Sequence, residues 1–244
     1  MVIAAGDRKT GAGHFGRTIL DDGVEIMSFH WEADFDMGGR STLAIRPLLW
    51  KNDWPYAGEQ LKAGTYAILS ERRGYSLELA VDFVRMNVAR QGWFSRDQAQ
   101  EPLKPVANQT LGEVIGTWPD ASVPVDVRCS DYMFRPWQKW QLTPTTKGTI
   151  AGPLYTIRIE GTNRALTATA DLELTAKEFA DLDEQLWRIE QLTDGTYRIM
   201  PYVVPGQEGK NNKYCLYSAG DSTPTLAEYD FNNDNSKWNF RKEQ

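Results

Sequence analysis

Gln138-Lys139-Trp140-Gln141-Leu142, Gln185-Leu186-Trp187-Arg188-Ile189 and Ser236-Lys237-Trp238-Asn239-Phe240 are three versions of one short phrase. Each sets a Trp third in a β-prone run. Upstream of each lies a strand that opens on a Tyr: Gly64-Thr65-Tyr66-Ala67-Ile68, Pro153-Leu154-Tyr155-Thr156-Ile157 and Gly195-Thr196-Tyr197-Arg198-Ile199. Between the two comes a second short strand: Ser76-Leu77-Glu78-Leu79, Ala165-Leu166-Thr167 and Tyr214-Cys215-Leu216. Tyr155 and Tyr197 are 42 residues apart, whereas Tyr66 and Tyr155 are 89 apart. The first copy therefore carries an insertion, placed roughly at Val84 to Met133 and given no regular structure. A unit of about 40 residues in short strands cannot bury its own apolar face, but three units around one axis can. The Trp and the Tyr-x-Ile of each copy are the expected shared core.

The rest of the chain agrees with an all-β fold. Val24–Trp31, Thr42–Arg46, Thr65–Leu69 and Tyr197–Met200 are rich in β-branched and aromatic residues. Asp21-Asp22-Gly23, Gly38-Gly39 and Asp194-Gly195 read as hairpin turns, since Gly and Asp tolerate positive φ. Thr175 to Leu186 is the one helix-like stretch; it opens on the capping-box pattern Thr-Ala-Lys-Glu and is either a helix or a helical turn between strands.

Composition narrows the function classes. Among 244 residues, 27 Lys and Arg face 33 Asp and Glu, for a net charge of −6, and the pI near 5.1 argues against a nucleic-acid binder. There is no run of 18 apolar residues to make a membrane-spanning helix. Met1-Val2-Ile3-Ala4-Ala5-Gly6 is too short for a signal-peptide core. Cys129 and Cys215 are either one bridge or, in the favoured reading, two separately buried thiols. With His14 and His30 they give no zinc-site spacing.

The three Gln-x-Trp units resemble the ricin-B-type β-trefoil, a family 13 carbohydrate-binding module, over Leu61 to Gln244; the third copy has Ser236 in place of Gln. The resemblance implies up to one sugar site per repeat, with an aromatic ring stacking on the sugar and an Asp and an Asn taking its hydroxyls. In the third repeat these are Tyr229, Asn232 or Asn233, and Asp221, although Tyr217 stands where the family has an Asp. The second repeat offers Asp171, Phe179 and Asp183 in a poorer register. In the first, the insertion replaces the site. The alternative is a trefoil kept as a structural appendage.

Residues 1–58 fall outside the repeat. Gly13-His14, Phe29-His30-Trp31, Gly39-Arg40, Ile45-Arg46-Pro47-Leu48 and the stop at Asp53-Trp54-Pro55 resemble the closing blade of the five-bladed β-propeller of glycoside hydrolase family 43, arabinan-degrading members above all. The fold expectation is thus the closing blade of a five-bladed β-propeller plus a C-terminal β-trefoil, residues 59–244, with repeats at about 61–145, 151–191 and 193–244. The resemblance implies inverting hydrolysis of arabinan or a related arabinose- or xylose-containing plant polysaccharide, and secretion or a periplasmic location. It places no catalytic residue in this chain, because the family's carboxylates sit on earlier blades. A partner chain, or an N-terminal part, would carry those blades, since one blade alone leaves exposed edges and half a core. Glu32, Asp34 and Asp36 read as a solvated loop. His30 is either a member of a mostly aqueous calcium shell at the propeller axis, as the resemblance implies, or a core histidine; His14 reads as structural. Arg17, Arg40 and Arg46 would contact sugar or a partner, or pair with surface carboxylates. Other readings are a stand-alone carbohydrate-binding trefoil without catalysis and a purely structural interaction domain. Asn108-Gln109-Thr110 is a glycosylation sequon. The aromatic residues of and beside the insertion, Trp93, Phe94, Trp118, Phe134 and Trp137, together with Met133, are expected to pack it against the rest of the molecule rather than bind sugar.

Overall fold

Asp22 and Gly23 both take positive φ, 44° and 84°, the geometry whose twist suits a two-residue hairpin. In the computed structural model, which describes residues 3–16, 18–81, 109–149, 152–209, 213–220 and 222–243, this turn shapes an N-terminal sheet. Strands β1 (Lys9–Gly13) and β2 (Ile19–Asp21) share one edge of β3 (Val24–Asp34), and β4 (Arg40–Lys51) takes the other. Trp54-Pro55 is not a stop: it opens β5 (Trp54–Ala57), which pairs with the end of β4 across a turn with positive φ at Asn52 and Asp53. Pro55 costs no ladder bond on this edge strand. Alternation along β3 buries Met27, Phe29 and Trp31, with Leu48, against Ile3, Ala12, Ala44 and Ala57. The opposite face carries Ser28 and His30, set across from Ile45 and Leu43.

The second unit is a β-trefoil. Repeat one has β6 (Gly64–Ser70), β7 (Ser76–Leu79), β8 (Val125–Ser130) and β9 (Trp140–Thr149). Repeat two has β10 (Gly152–Ile159), β11 (Arg164–Ala168), β12 (Leu174–Glu178) and β13 (Leu186–Gln191). Repeat three has β14 (Tyr197–Pro201), β15 (Tyr214–Ser218), β16 (Pro224–Glu228) and β17 (Trp238–Lys242). First and last strands close a six-stranded barrel in the order β6-β17-β14-β13-β10-β9, with β9 returning to β6. The middle strands form three hairpins, β7–β8, β11–β12 and β15–β16.

The threefold relation extends to single atoms. The indole Nε1 of Trp140 donates to the Leu77 carbonyl at 2.8 Å, that of Trp187 to Leu166 at 3.0 Å and that of Trp238 to Leu216 at 2.8 Å. All three rings are fully buried in one core with Ile68, Ile157 and Ile199. Each barrel-closing strand follows a 3₁₀ turn: Pro136–Gln138, Asp183–Gln185 and Asp234–Ser236. Buried Gln185 accepts from the Ala180 N–H at 2.8 Å and donates to Thr167 and to the Glu178 carbonyl. Gln138 does the same work with Met133, Ser130 and Asp131.

Two local expectations are corrected. Of the two readings of Thr175 to Leu186, the full helix is corrected and the helical turn between strands holds: most of β12, whose Leu174 and Ala176 face the core at period two, is followed by the 3₁₀ turn at Asp183–Gln185. The bounds given to the insertion swallowed β8, whose Val125, Val127 and Cys129 are buried, so the inserted chain runs between β7 and β8. Nor is that chain without structure. Helix α1 (Leu111–Ile115) opens on a capping box in which Thr110 and Glu113 exchange bonds. Buried Arg164 fixes the insertion's end, donating to the carbonyls of Pro119, Asp120, Val123 and Ala176 at 2.6 to 2.9 Å.

Candidate functional site

The hairpin turn of the N-terminal sheet sits on the third repeat. Tyr229, just past β16, donates its hydroxyl to the Asp22 carbonyl at 2.8 Å. Arg198 of β14 lies over the Tyr229 ring at 5.0 Å and is almost wholly buried. Its Nη2 donates to Asp21 at 2.8 Å and its Nε to Glu190 at 2.7 Å. Lys213 binds both Asp21, at 2.8 Å, and Asp22. Phe231 packs so closely on Gly23 that an added Cβ would fall 2.1 Å from its ring. The backbone joins in: Thr193 N–H donates to the Gly23 carbonyl at 2.7 Å, and Trp50 N–H to the Thr193 carbonyl at 2.9 Å.

Charge follows from this geometry. Hydrogen bonds from Lys213 and then Arg198 hold the Asp21 carboxyl down at about 2. Burial pushes the Tyr229 phenol up, since nothing beside it stabilises a phenolate enough to offset desolvation. Burial alone would lower the Arg198 guanidinium; the charge of Glu190 and the bonds to Asp21 and Glu190 outweigh it, and the net shift is upward.

The sequence-derived sugar site is spread out rather than gathered. The Tyr229 hydroxyl and one face of its ring serve the hairpin contact. Asn233 donates to the Tyr217 hydroxyl at 3.1 Å, as Asn235 does at 2.9 Å, so the Tyr that stands at the expected Asp position takes the amides that would meet a sugar. Asn232 is exposed, its N–H bonded to Asp230. Asp221 lies outside the described residues. Arg40 begins β4 at the far end of the β3 hairpin from Asp22, roughly 30 Å along the strands, and cannot share a monosaccharide with Tyr229. In the second repeat, Arg158 lies over the Phe179 ring at 5.4 Å and Asp183 pairs with Lys147. The contacts sequence reasoning missed are Asp21, Asp22, Lys213 and Arg198; the only signal for them was a turn that looked purely structural.

His30, on β3, stacks on His14 with ring centroids 4.8 Å apart and nitrogens 3.5 Å apart. Calcium asks for six to eight oxygen ligands. Two facing imidazoles do not fit that shell, and among the described residues no group of three or more His, Cys, Asp or Glu is placed to hold a metal. The Glu32–Asp36 stretch is not uniformly a solvated loop, because Asp34 is buried, caps the 3₁₀ turn Phe35–Met37 and accepts from Thr42 at 3.3 Å. Asp36 pairs with Arg8 at the surface, and Arg46 lies 3.9 Å from Glu59. Arg17, Trp93, Phe94 and Asn108 lie outside the described residues. Of the remaining aromatic residues of that region, Trp137 is in the trefoil core and Trp118 packs on it. Met133 and Phe134 are exposed, with Arg241 lying 5.0 Å from the Phe134 ring. Cys129 and Cys215 are free and buried, and burial pushes their thiols up to about 12 and about 11, which keeps both unreactive.

No protein-family model matches this chain, and no curated protein matches it. Among solved structures, a mosquitocidal holotoxin superposes with a TM-score of 0.51 at 12% identity, over 88% of this chain and 21% of that one. The designed threefold-symmetric protein ThreeFoil gives 0.45 at 17% identity, over 72% of this chain and 97% of its own. The β-trefoil lectin of the Vibrio vulnificus hemolysin/cytolysin, solved with N-acetyl-D-lactosamine bound, gives 0.47 at 15% identity, over 75% and 98%. The fold assignment rests on the closed barrel and the three indole–carbonyl bonds, not on these likenesses.

Proposed function

We propose that this chain is a carbohydrate-binding β-trefoil carrying a docked β-sheet. The observation that supports it most is the threefold Gln-x-Trp framework, in which the barrel and its three hairpins complete a trefoil without the N-terminal sheet. Fold by itself does not fix function. The sugar assignment rests on the resemblance of these repeats to ricin-B-type modules.

A second reading concerns the docked sheet. Four of its five strands run in the antiparallel order β1-β3-β4-β5, which is compatible with a propeller blade, and Ile19 and Leu43 on its outer face are 65% exposed. Exposed apolar side chains of this kind, on a face shared with Ser28 and His30, suit neighbouring blades supplied by a partner or by another part of the same polypeptide. On that reading the assembly is an inverting glycoside hydrolase acting on arabinan or a related polysaccharide, with its catalytic carboxylates outside these residues.

One experiment addresses both readings: the chain is titrated with arabino-, xylo- and galacto-oligosaccharides by calorimetry, and the same mixtures are assayed for reducing ends. Binding without bond cleavage is the expected result. Absence of binding to every sugar overturns the first reading, and hydrolysis by the chain alone overturns the placement of the carboxylates elsewhere.

A further inference from the structure

A cavity of about 280 Å³ opens beside the β13–β14 hairpin, under the loop that leaves β14. It lies mainly on the third repeat, and neither the 21–23 turn nor Tyr229 is among the residues that line it. Its walls include Arg188 of β13, Met200 and Tyr202 at the end of β14, Val204 and Glu208 of the loop, and Tyr214 of β15. We propose that this cavity binds one neutral pyranose residue. The proposal deepens the carbohydrate-binding reading and rests on it.

Chemistry favours this ligand class over the others. Tyr202 is 52% exposed, a large ring left in water beside a concavity, which suits the apolar face of a sugar. Arg188 is under-used. Its Nη2 rests on the Met200 thioether at 3.1 Å, a weak acceptor. Its Nε is buried and ion-paired with the Glu190 carboxylate at 3.2 Å, without an aligned hydrogen bond. Glu208 accepts one bond, from the Gly206 N–H at 3.0 Å through Oε1. The wall thus offers a guanidinium Nη2 that rests on a weak sulfur acceptor and a carboxylate with room for a donor. A sugar hydroxyl both gives and receives, and so answers both. An anion would meet Glu208, a cation would meet Arg188, and a purely apolar ligand would strand both groups. The volume is at the small end for ligand pockets and suits a single ring.

The test uses the intact chain with methyl xylopyranoside, methyl galactopyranoside and methyl galacturonide as probes, read by calorimetry and by saturation-transfer contacts. The Tyr202→Ala and Glu208→Gln variants are compared at matched thermal midpoints. A neutral glycoside should bind weakly, and Tyr202→Ala should cost about tenfold in affinity with the midpoint unchanged. Neutral sugar binding that survives both substitutions overturns this pocket while leaving the carbohydrate reading standing. Tighter binding of the galacturonide overturns the neutral-ligand assignment. Absence of binding to any probe overturns the pocket, and the oligosaccharide titration above decides the wider reading separately.

Discussion

Gln185 and Ser236 occupy the same place in two repeats and solve the same problem with different reach. The Gln185 amide spans from the Ala180 N–H to the Glu178 carbonyl. Ser236 is too short to do so; its hydroxyl touches the Asp230 N–H at 3.5 Å, and Asn233 caps the turn in its place. Truncation of Gln185 therefore strands a donor and an acceptor in a fully buried site. Gln185→Ala should lose about 2–3 kcal/mol, read from urea unfolding followed by tryptophan fluorescence, whereas Ser236→Ala should lose well under about 1 kcal/mol. At this scale the sequence was legible where a residue type has one dominant role: the three Trp, the three Ile and the Tyr of the first two repeats were read as core and form it, whereas Tyr197, read the same way, is only partly buried. Tyr217 shows the limit. Its replacement of an expected Asp was visible in the sequence, but its grip on Asn233 and Asn235 needed the folded loop.

Among the elements, the Asp21-Asp22-Gly23 turn does more than reverse the chain. Gly23 and Gly38 both have positive φ, so an L side chain is strained at either. They differ in surroundings: a Cβ on Gly38 meets nothing within 4 Å, whereas one on Gly23 would overlap Phe231. Gly23→Val should therefore lift the turn off the third repeat, while Gly38→Ala should cost only the backbone strain, about 1 kcal/mol. Amide exchange checks this, with the Thr193 and Trp50 N–H groups, which bridge the two units, losing protection in the first variant alone. The turn itself was legible from Asp-Gly chemistry; its docking partner was not, because 170 or more residues separate the charges that meet, as in Asp21 and Arg198. The same reasoning explains β12 and β8. A Thr-x-x-Glu pattern scores as a helix start on local grounds, yet pairing with β11 and with β8 decided the matter. The spacing between Tyr66 and Tyr155 told only that extra chain was present, not which part of it remained a strand.

At the scale of the whole molecule, the described residues form two apolar cores of unequal size. The trefoil core joins all three repeats, whereas the N-terminal sheet buries only Met27, Phe29, Trp31 and Leu48 as its own cluster. A sheet with so small a core is marginal without something to lean on. It should therefore open before the barrel, and the Asp21–Arg198–Lys213 cluster sets how soon. The Asp21 pKa falls from the ordinary 3.8 to about 2 in the folded chain. Folding thus favours its ionised form, so the stabilisation is complete above about pH 4 and is lost as pH falls through 2. Asp21 is half-exposed, which keeps the effect to a surface-pair scale of about 1 kcal/mol or less. Acid should act elsewhere too, because Asp194 in the trefoil also lies below its ordinary value, its bonds to Lys237 and Thr196 outweighing the upward push of burial. Segment-resolved hydrogen exchange at pH 5, 4, 3 and 2 separates the two contributions. The sheet should open at milder denaturant than the barrel at every pH, and the gap should widen between pH 4 and 2. In Asp21→Asn the sheet should already be loosened at pH 5, and its further response to acid should flatten while the barrel's acid response persists. A single transition shared by both units at all four pH values would show instead that the small core is continuous in stability with the large one, and that the clamp at Asp21 does not govern the sheet.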